Sequence, residues 1–349
     1  MNFLILNVGS SSIKYSIYKK KEKILGDYFQ NILTKKSREK CINKIIKKID
    51  KEKIIIEAIG HRIVHGKNLT ESCILTKNKI KIIEDCCELA PLHNIPELEV
   101  IRICEKMFKV KQIGVFDTSF YTNMPDVAKY YAIPKKYFKD IKRYGFHGTS
   151  HRFVSRKLKG KVITCHLGNG CSITAIKDGK AIDTTMGFTP LEGLIMGTRC
   201  GDIDVAVVEY LAKKYKMDIS EILNMFNKES GLLGISGISN DMRDIYKSNS
   251  KNAKLAKEMF VYKAIKKIGA LIAILKGLDT LVFTAGMGEN EHYIRKDICE
   301  NFGFLGLNLD KSKNKKNSTI ISSDESKIKV MVIPTNEELM IVEDVMRLI

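Results

Sequence analysis

The pattern of apolar and polar positions predicts an α/β protein. Short apolar runs bounded by glycine or polar residues predict strands at residues 3–6, 13–18, 54–59 and 112–116, the third of them ending at Gly60. In residues 252–275 the apolar side chains recur at helical spacing, which predicts a long helix facing a core. Alternating strands and helices are typical of domains that cover a sheet with helices.

A weak internal repeat indicates two related lobes. The segment LILNVGSSSIKYSIY at residues 4–18 is similar to ITCHLGNGCSITAI at residues 163–176, once one residue is inserted in the second turn. Both segments have the pattern of a strand, a turn centred on glycine and a second strand. A chain of 349 residues also exceeds the size at which single cores stop growing, about 250–300 residues, so we expect two domains.

Glycine-rich turns point to an anionic ligand. A third such turn, TAGMGEN at residues 284–290, follows the apolar residues 281–283. Glycine and serine let backbone N–H groups approach an anion closely, and phosphate is the natural guest of such turns. No Gly-Lys pair is followed by serine or threonine, and no GxGxxG fingerprint is present, so single-motif phosphate loops are excluded. The mode of phosphate binding that remains is a polyphosphate held between two lobes by paired hairpins.

Composition limits the classes of binding partner and the cellular location that we expect. The net charge is +19, but the lysines are spread along the chain without an aromatic RNA-binding signature or zinc-finger spacing, so we expect no nucleic-acid partner. The longest uncharged apolar run, residues 268–275, is too short for the ~20 residues of a membrane span, and the N-terminus lacks the pattern of a signal peptide. The nine cysteines form no CxxC pair. We therefore expect a cytoplasmic protein with reduced thiols and no membrane partner.

Histidines and arginines mark the candidate chemistry. Six of the seven histidines lie in short polar segments flanked by glycine, such as GHRIVHG and GFHGTSH. Lysine occupies most basic positions, whereas Arg62, Arg199 and Arg243 lie inside similar polar segments. Because the planar guanidinium binds carboxylates and phosphates through two parallel hydrogen bonds, these arginines are candidates for substrate contacts.

These segments belong to an ordered set of ten motifs. They are NVGSSSIKY, GHRIVHG, LAPLHNIPE, VFDTSF, YGFHGTSH, CHLGNGCSITAI, TTMGFTPLEGLIMGTRCGDID, SGISNDMRD, FTAGMGEN and IPTNEEL. In this order the set resembles that of the acetate kinase family. The resemblance implies a two-lobed, ribonuclease-H-like α/β fold of the actin, Hsp70 and sugar kinase type, with duplicated domains and a nucleotide cleft between them. It places one lobe at residues 1–118 plus 336–349 and the other at residues 119–335, and it implies a homodimer formed through the second lobe.

The resemblance also implies reversible transfer of the ATP γ-phosphoryl group to acetate with Mg²⁺, or Mn²⁺ in its place. The carboxyl group of acetate has a pKa of about 4–5, so at neutral pH it is already a nucleophile and needs no general base. Catalysis must instead overcome repulsion between two anions. On this basis Arg62 would hold the substrate carboxylate, while Arg199 and His147 would contact the transferring phosphoryl group. Asp117 matches the catalytic carboxylate of the family, and we interpret its role as orienting an arginine, a water molecule or Mg²⁺.

The remaining site residues are assigned by the resemblance alone. The substrate pocket would comprise Val64, Leu92, His93, Phe146 and Pro190, and the metal ligands would be Asn7 and Glu337. The nucleotide would be bound by Ser10, Ser12, Lys14, His166, Leu167, Gly168, Asn169, Gly170, Asp241, Met242, Arg243, Gly286, Met287, Gly288, Glu289 and Asn290.

Three features depart from the family pattern, and two other functions stay open. The chain is shorter than most members, chiefly between Tyr18 and Ile54 and near the C-terminus, which leaves peripheral helices and dimer contacts open. Ile95 stands where a second proline is usual, and Asp202 stands where the family often has a small residue. Asp202 would either weaken the positive field around Arg199 or pair with a lysine. A propionate or butyrate kinase is one alternative function, because a single methylene changes binding by only about 1–3 kcal/mol. A nucleotide-binding protein without catalytic activity is the other.

Overall fold

The computed structural model describes the backbone of residues 1–349 and every side chain except that of Leu92. The strands are β1 (Asn2–Val8), β2 (Ser12–Lys19), β3 (Glu22–Gln30), β4 (Ala58–Ile63), β5 (Cys73–Ile74), β6 (Lys111–Phe116), β7 (Lys161–Leu167), β8 (Cys171–Lys177), β9 (Lys180–Thr184), β10 (Thr280–Thr284) and β11 (Lys329–Val332). The helices are α1 (Lys35–Lys51), α2 (Lys77–Asp85), α3 (Pro91–Met107), α4 (Asp126–Lys129), α5 (Gly148–Ser155), α6 (Ala206–Tyr215), α7 (Ile219–Lys228), α8 (Gly231–Ser236), α9 (Met242–Lys247), α10 (Lys251–Leu275), α11 (Ala285–Asn290), α12 (His292–Cys299), α13 (Lys311–Lys315) and α14 (Glu337–Leu348). Short 3₁₀ helices cover Cys86–Glu88, Asp117–Tyr121, Lys135–Tyr137 and Glu300–Leu305.

The chain divides into two compact units. The first unit comprises Met1–Thr122, Phe146–Phe153 and Asn336–Ile349, and the second comprises Asn123–Gly145 and Val154–Thr335. The predicted lobes differ from these units at residues 119–122 and 146–153. Residues 119–121 continue the 3₁₀ helix that begins at Asp117, and residues 146–153 join the first unit because Gly148 and Thr149 pack directly on Asp117.

The first unit is built on a sheet with the order β3-β2-β1-β4-β6-β5. Strand β1 is buried on both faces, and its side chains alternate between two cores as the pleat of a strand requires. Leu4 and Leu6 pack with residues of α1 and α3, whereas Phe3 and Ile5 pack with residues of α14. Helices therefore cover both faces of this sheet, as expected for an α/β domain.

The second unit repeats the same strand arrangement. Its sheet has the order β11-β10-β7-β8-β9, and α10 packs against β7 and β8. In each unit the first two strands form an antiparallel hairpin, and the first strand also pairs in parallel with a later strand, β4 or β10. The hairpin closes at Val8 and Ile13 in the first unit but at Leu167 and Cys171 in the second, one residue tighter. The internal repeat predicted from the sequence is confirmed.

Most predicted elements are present, with two corrections. The strands predicted at residues 3–6, 13–18 and 112–116 and the helix predicted at residues 252–275 are confirmed. The strand predicted at residues 54–59 begins at Ala58 instead and runs through Gly60 to Ile63. Gly60 is tolerated inside it because a Cβ atom there would meet Ile341 Cγ2 at 2.6 Å, so α14 packs directly on the backbone. The predicted turn at residues 284–290 is mostly the short helix α11.

Among the helices of the described part of the chain, none is both long enough and apolar enough to cross a membrane.

Candidate functional site

In the first unit, a partly buried cluster of polar groups surrounds Arg62. Strand β4 carries Arg62 near its end, and its Nη2 donates to Asp117 Oδ2 at 2.6 Å. Its Nη1 donates to Asn7 Oδ1 at 3.2 Å, and its Nε lies 3.5 Å from Glu337 Oε2. Asn7 Nδ2 in turn donates to Glu337 Oε2 at 3.3 Å. The structure thus brings together four of the predicted site residues, from β1, β4, the 3₁₀ helix after β6, and α14.

Burial and charge set the protonation states in this cluster. Burial lowers the pKa of the Arg62 guanidinium, but the carboxylates of Asp117 and Glu337 outweigh it, so that the pKa of Arg62 is raised overall. Burial raises the pKa of Glu337, and the neighbouring Arg62 opposes this shift. Arg62 is therefore firmly cationic, and its charge is largely compensated by two carboxyl groups.

The turn that carries His147 lies against Asp117. His147 has φ +55°, a left-handed conformation that is uncommon for any residue except glycine. A Cβ atom on Gly148 would overlap the carbonyl oxygen of Asp117, so only glycine allows this approach. Thr149 Oγ1 donates to Asp117 Oδ1 at 2.7 Å. Tyr121 Oη donates to the carbonyl of Phe146 at 2.6 Å, which fixes the residue before His147.

The segment directly after Arg62, residues 63–66, is buried. Val64 and Phe146 are buried, and the ring of Phe146 lies 5.7 Å from that of His65. The amide of Asn94, on α3, bonds the backbone of His65 at both N–H and C=O, at 3.2 and 2.9 Å. The predicted pocket residue His93 precedes Asn94 and is half-buried, while the side chain of Leu92 lies outside the described residues.

Glu97 is a member of this region that the sequence analysis missed. Its side chain is 2% exposed, and its Oε2 accepts from the N–H of Val64 at 3.1 Å. Burial raises the pKa of Glu97 to about 8, although Arg62 acts against the shift. A buried glutamate within an apolar helix pattern is the signal that could have identified it.

The first hairpin presents its polar residues at the turn between β1 and β2. Ser10 is exposed, Ser12 is half-buried, and the N–H of Gly9 donates to the carbonyl of Ser12 at 2.8 Å. Lys14 Nζ lies 2.9 Å from Glu338 Oε1, so the ammonium group already has a carboxylate partner. Glu338, next to Glu337, was not predicted as a site residue.

In the second unit, Arg199 has a very different environment from that of Arg62. Its Nη1 donates to the carbonyl of Pro190 at 3.2 Å and lies 3.7 Å from Met196 Sδ. Within the described residues no carboxylate pairs with this guanidinium. Burial lowers the pKa of Arg199, as expected for a cation held by uncharged acceptors.

A cavity of about 350 Å³ in the second unit is lined by half of the predicted nucleotide residues. The residues that line it are Gly168, Asn169, Asn240, Asp241, Met242, Arg243, Gly286, Met287, Asn290 and Glu291. They come from the second hairpin, the start of α9 and the α11 segment. A Cβ atom on Gly286 would meet nothing within 4 Å, so this glycine leaves the cavity open. The structure therefore joins two of the three glycine-rich segments at one cavity, while the first hairpin belongs to the other unit.

The remaining predicted nucleotide residues of the second unit adjoin the lining residues in sequence but are not part of the cavity wall. His166, Leu167 and Gly170 belong to the second hairpin. The carboxylate of Glu289 accepts from the backbone N–H groups of Ala285 and Thr335, at 2.8 and 3.1 Å, and Gly288 O accepts from the buried Arg295. These two residues therefore stabilise the α11 segment. Asn240 and Glu291 line the cavity but were not predicted; each directly adjoins a predicted stretch.

Solved structures with the same fold define the class of this protein. The chain is 40% identical to a propionate kinase from Francisella tularensis, with a TM-score of 0.91 and complete coverage of both chains. It is 36% identical to the acetate kinase of Porphyromonas gingivalis, with a TM-score of 0.89 and 99% coverage of both. Together with the two related sheets, these matches define a two-domain α/β kinase fold of the actin and sugar kinase type.

Sequence comparisons identify the family. The profile of the Acetokinase family matches residues 20–343. The acetate kinase of Carboxydothermus hydrogenoformans is 44% identical, with 100% of this chain and 99% of the relative covered. The acetate kinase of Clostridium acetobutylicum is 43% identical, with 99% and 98% covered. The chain belongs to the acetokinase family.

Proposed function

We propose that the protein is an acetate kinase, which transfers the ATP γ-phosphoryl group reversibly to acetate to give acetyl phosphate and ADP. The observation that carries this proposal is the partly buried Arg62, which Asp117 holds at 2.6 Å and which lies two residues before the buried, apolar Val64. A fixed guanidinium beside an apolar residue suits a short carboxylate with a methyl group. The cavity of the second unit, about 350 Å³ in volume and lined by glycines, asparagines and Arg243, suits a nucleotide.

The chemistry in this proposal depends on position and charge. The acetate carboxylate attacks the γ-phosphorus, the bond from that phosphorus to the bridging oxygen breaks, and ADP leaves with the electron pair. Arg62 holds the acceptor carboxylate, and Asp117 orients Arg62 through the hydrogen bond at 2.6 Å. Arg199 and His147 donate to the oxygens of the transferring group. No residue acts as a general base, because acetate is already ionised at neutral pH.

Asn7 and Glu337 are the proposed metal ligands. Asn7 Nδ2 donates to Glu337 Oε2 at 3.3 Å, so the two side chains lie together and can offer an amide oxygen and a carboxylate, the hard donors that Mg²⁺ prefers. Two protein ligands suffice for this ion, since Mg²⁺ keeps several waters and uses phosphate oxygens of the substrate. When bound, the ion would neutralise charge on the phosphate chain.

The proposal includes a homodimer and a cytoplasmic location. In the second unit, exposed apolar side chains cluster around α6 and α7: Ile203, Val205, Tyr210, Ile219 and Leu223, each 43–81% exposed. Burial of such a patch against a second copy is favourable. The nine cysteines are all free, which suits a reducing compartment.

A propionate kinase is the second candidate, since the relative from Francisella tularensis that bears this name is 40% identical over the whole chain. The test is formation of acyl hydroxamate by purified protein with Mg-ATP and, separately, acetate, propionate and butyrate. We expect the highest kcat/KM with acetate. A preference for a longer acid would leave the proposed mechanism unchanged but would make that acid the proposed substrate. Absence of product with all three acids would overturn the proposed function.

A further inference from the structure

The turn from Phe188 to Glu192 connects a proposed pocket residue to a proposed catalytic residue. Pro190 lies at the middle of this turn, and its carbonyl oxygen accepts from Arg199 Nη1 at 3.2 Å. This carbonyl is the only oxygen acceptor of the Arg199 guanidinium among the described residues. The position of the turn therefore determines where the Arg199 charge lies.

Tyr131 holds both ends of this turn with one hydroxyl group. The hydroxyl oxygen accepts from the N–H of Phe188 at 2.7 Å and donates its proton to the carboxylate of Glu192 in a short hydrogen bond. The chain packs closely here, because a Cβ atom on Gly187 would overlap both the Glu192 carboxylate and the Tyr131 hydroxyl. Pro190 thus lies between two anchored residues.

Arg143 fixes the carboxylate that Tyr131 contacts. Its Nη2 donates to Glu192 Oε1 at 2.6 Å, and its Nη1 donates to the carbonyl of Met186 at 3.2 Å. The side chains of Arg143 and Glu192 are 18% and 29% exposed, so the pair is mostly shielded from water. Charge-assisted bonds in such surroundings are strong and directional. Tyr131, Glu192 and Arg143 form a clamp on the turn, and none of the three was among the predicted site residues.

We propose that Tyr131, acting through the turn from Phe188 to Glu192, is a positioning residue for Arg199. The inference rests on the proposed function, because it assigns Arg199 to the transferring phosphoryl group. Donors that stabilise developing charge must be placed accurately, and a displacement of about 1 Å can cost ~10²-fold in rate. Loss of the Tyr131 hydroxyl releases both ends of the turn and so lets the Pro190 carbonyl, and Arg199 with it, shift.

The first experiment compares Tyr131→Phe with the unaltered protein in the acyl hydroxamate assay with Mg-ATP. We expect kcat to fall about tenfold while KM for ATP changes less than about twofold, because the nucleotide cavity does not include this turn. Tyr137→Phe is the matched control, since Tyr137 is a tyrosine of the same segment that is 45% exposed. A Tyr131→Phe variant with unaltered kcat would overturn the inference.

The decisive experiment is a double-mutant cycle with Arg199→Ala. If Tyr131 acts through Arg199, Tyr131→Phe should cost less than about twofold in the Arg199→Ala background, because there is no guanidinium left to place. A cost of about tenfold in both backgrounds would show a merely structural role and would overturn the inference.

Two further measurements distinguish a failure of the positioning role from misfolding of the variant and from failure of the proposed function. Thermal unfolding of Tyr131→Phe should lie within a few degrees of the unaltered protein. If that variant does not fold, Glu192→Gln replaces it in the same cycle, since glutamine keeps an acceptor for Arg143 and a contact for Tyr131. Absence of product from the unaltered protein would contradict the proposed function. An active protein in which the effects of the two substitutions on kcat are additive would contradict only the positioning role of Tyr131.

Discussion

The two arginines assigned to substrate and phosphoryl group lie in opposite electrostatic surroundings. Arg62, in the first unit, is paired with Asp117 at 2.6 Å and lies 3.5 Å from Glu337. Arg199, in the second unit, donates to the Pro190 carbonyl and to the Met196 sulfur, and to no carboxylate within the described residues. The carboxylates raise the pKa of Arg62 against the effect of burial, while burial lowers that of Arg199.

This difference indicates that the two arginines contribute differently to the reaction. A guanidinium compensated by two carboxylates contributes direction and hydrogen bonds more than net charge, so Arg62 suits the binding of an acceptor. An uncompensated, partly buried guanidinium keeps more of its field, which is what transfer between two anions requires. The same strand arrangement thus supports a neutralised arginine in one unit and an uncompensated one in the other.

Replacement of Arg199 should have the largest effect. We expect Arg199→Ala to lower kcat by about 10²-fold or more, because one preorganised donor to a developing charge is typically worth that much. Steady-state hydroxamate kinetics with acetate would measure it, and circular dichroism would verify folding. Normal turnover by the folded variant would contradict the role given to the uncompensated charge.

Replacement of Arg62 should act on binding rather than on turnover. We expect Arg62→Ala to raise KM for acetate by about 10–10²-fold, the value of a charge-assisted pair, with a smaller change in kcat. The same assay, run with acetate as the varied substrate, measures both constants. A fall in kcat at unchanged KM would instead assign Arg62 to the chemical step and remove the contrast between the two arginines.

The contrast itself was not predictable from the sequence. Motif order located Arg62, Arg199 and most of the cavity residues, and the internal repeat predicted the matching hairpins, because both signals are local in the chain. The carboxylate partners of Arg62, Asp117 and Glu337, come from distant segments, and only the folded chain decides that they meet it. The acceptor of Arg199, the Pro190 carbonyl, lies in the same motif, but the motif alone does not show that the two groups meet. The strand around Gly60 was misplaced for the same reason, since α14 supplies the packing that admits glycine there.

Replacement of Glu97 would test the charge balance near Arg62 through stability. Burial raises the pKa of Glu97 from 4.5 to about 8, so between these values the folded protein keeps a proton that the unfolded chain has released. The free energy of unfolding of the unaltered protein should therefore fall as pH rises through this window. Glu97→Gln lacks this loss, so its stability relative to the unaltered protein should increase by roughly 3–4 kcal/mol between about pH 5 and pH 8.

Urea unfolding at several pH values measures this difference for Glu97→Gln. Glu99→Gln is a suitable control, because Glu99 lies on the same helix, is 26% exposed and pairs with Arg38 at 2.8 Å. A stability difference between Glu97→Gln and the unaltered protein that stays constant with pH would mean that Glu97 is ionised in the folded state. A third carboxylate would then face Arg62.

Replacement of Asp202 should have the smallest effect, although it places a carboxylate three residues from Arg199 in sequence. In the structure Asp202 Oδ2 lies 2.6 Å from Lys267 Nζ, and Oδ1 accepts from the N–H of Gly193 at 2.9 Å. The expectation that it pairs with a lysine is therefore met, and its charge is compensated before it can reduce the field at Arg199. Asp202→Asn should leave kcat within about twofold and cost less than about 1 kcal/mol of stability, as for other partly exposed pairs. A rise of about tenfold in kcat would show instead that Asp202 weakens the charge of Arg199, and the second arginine would then be partly compensated like the first.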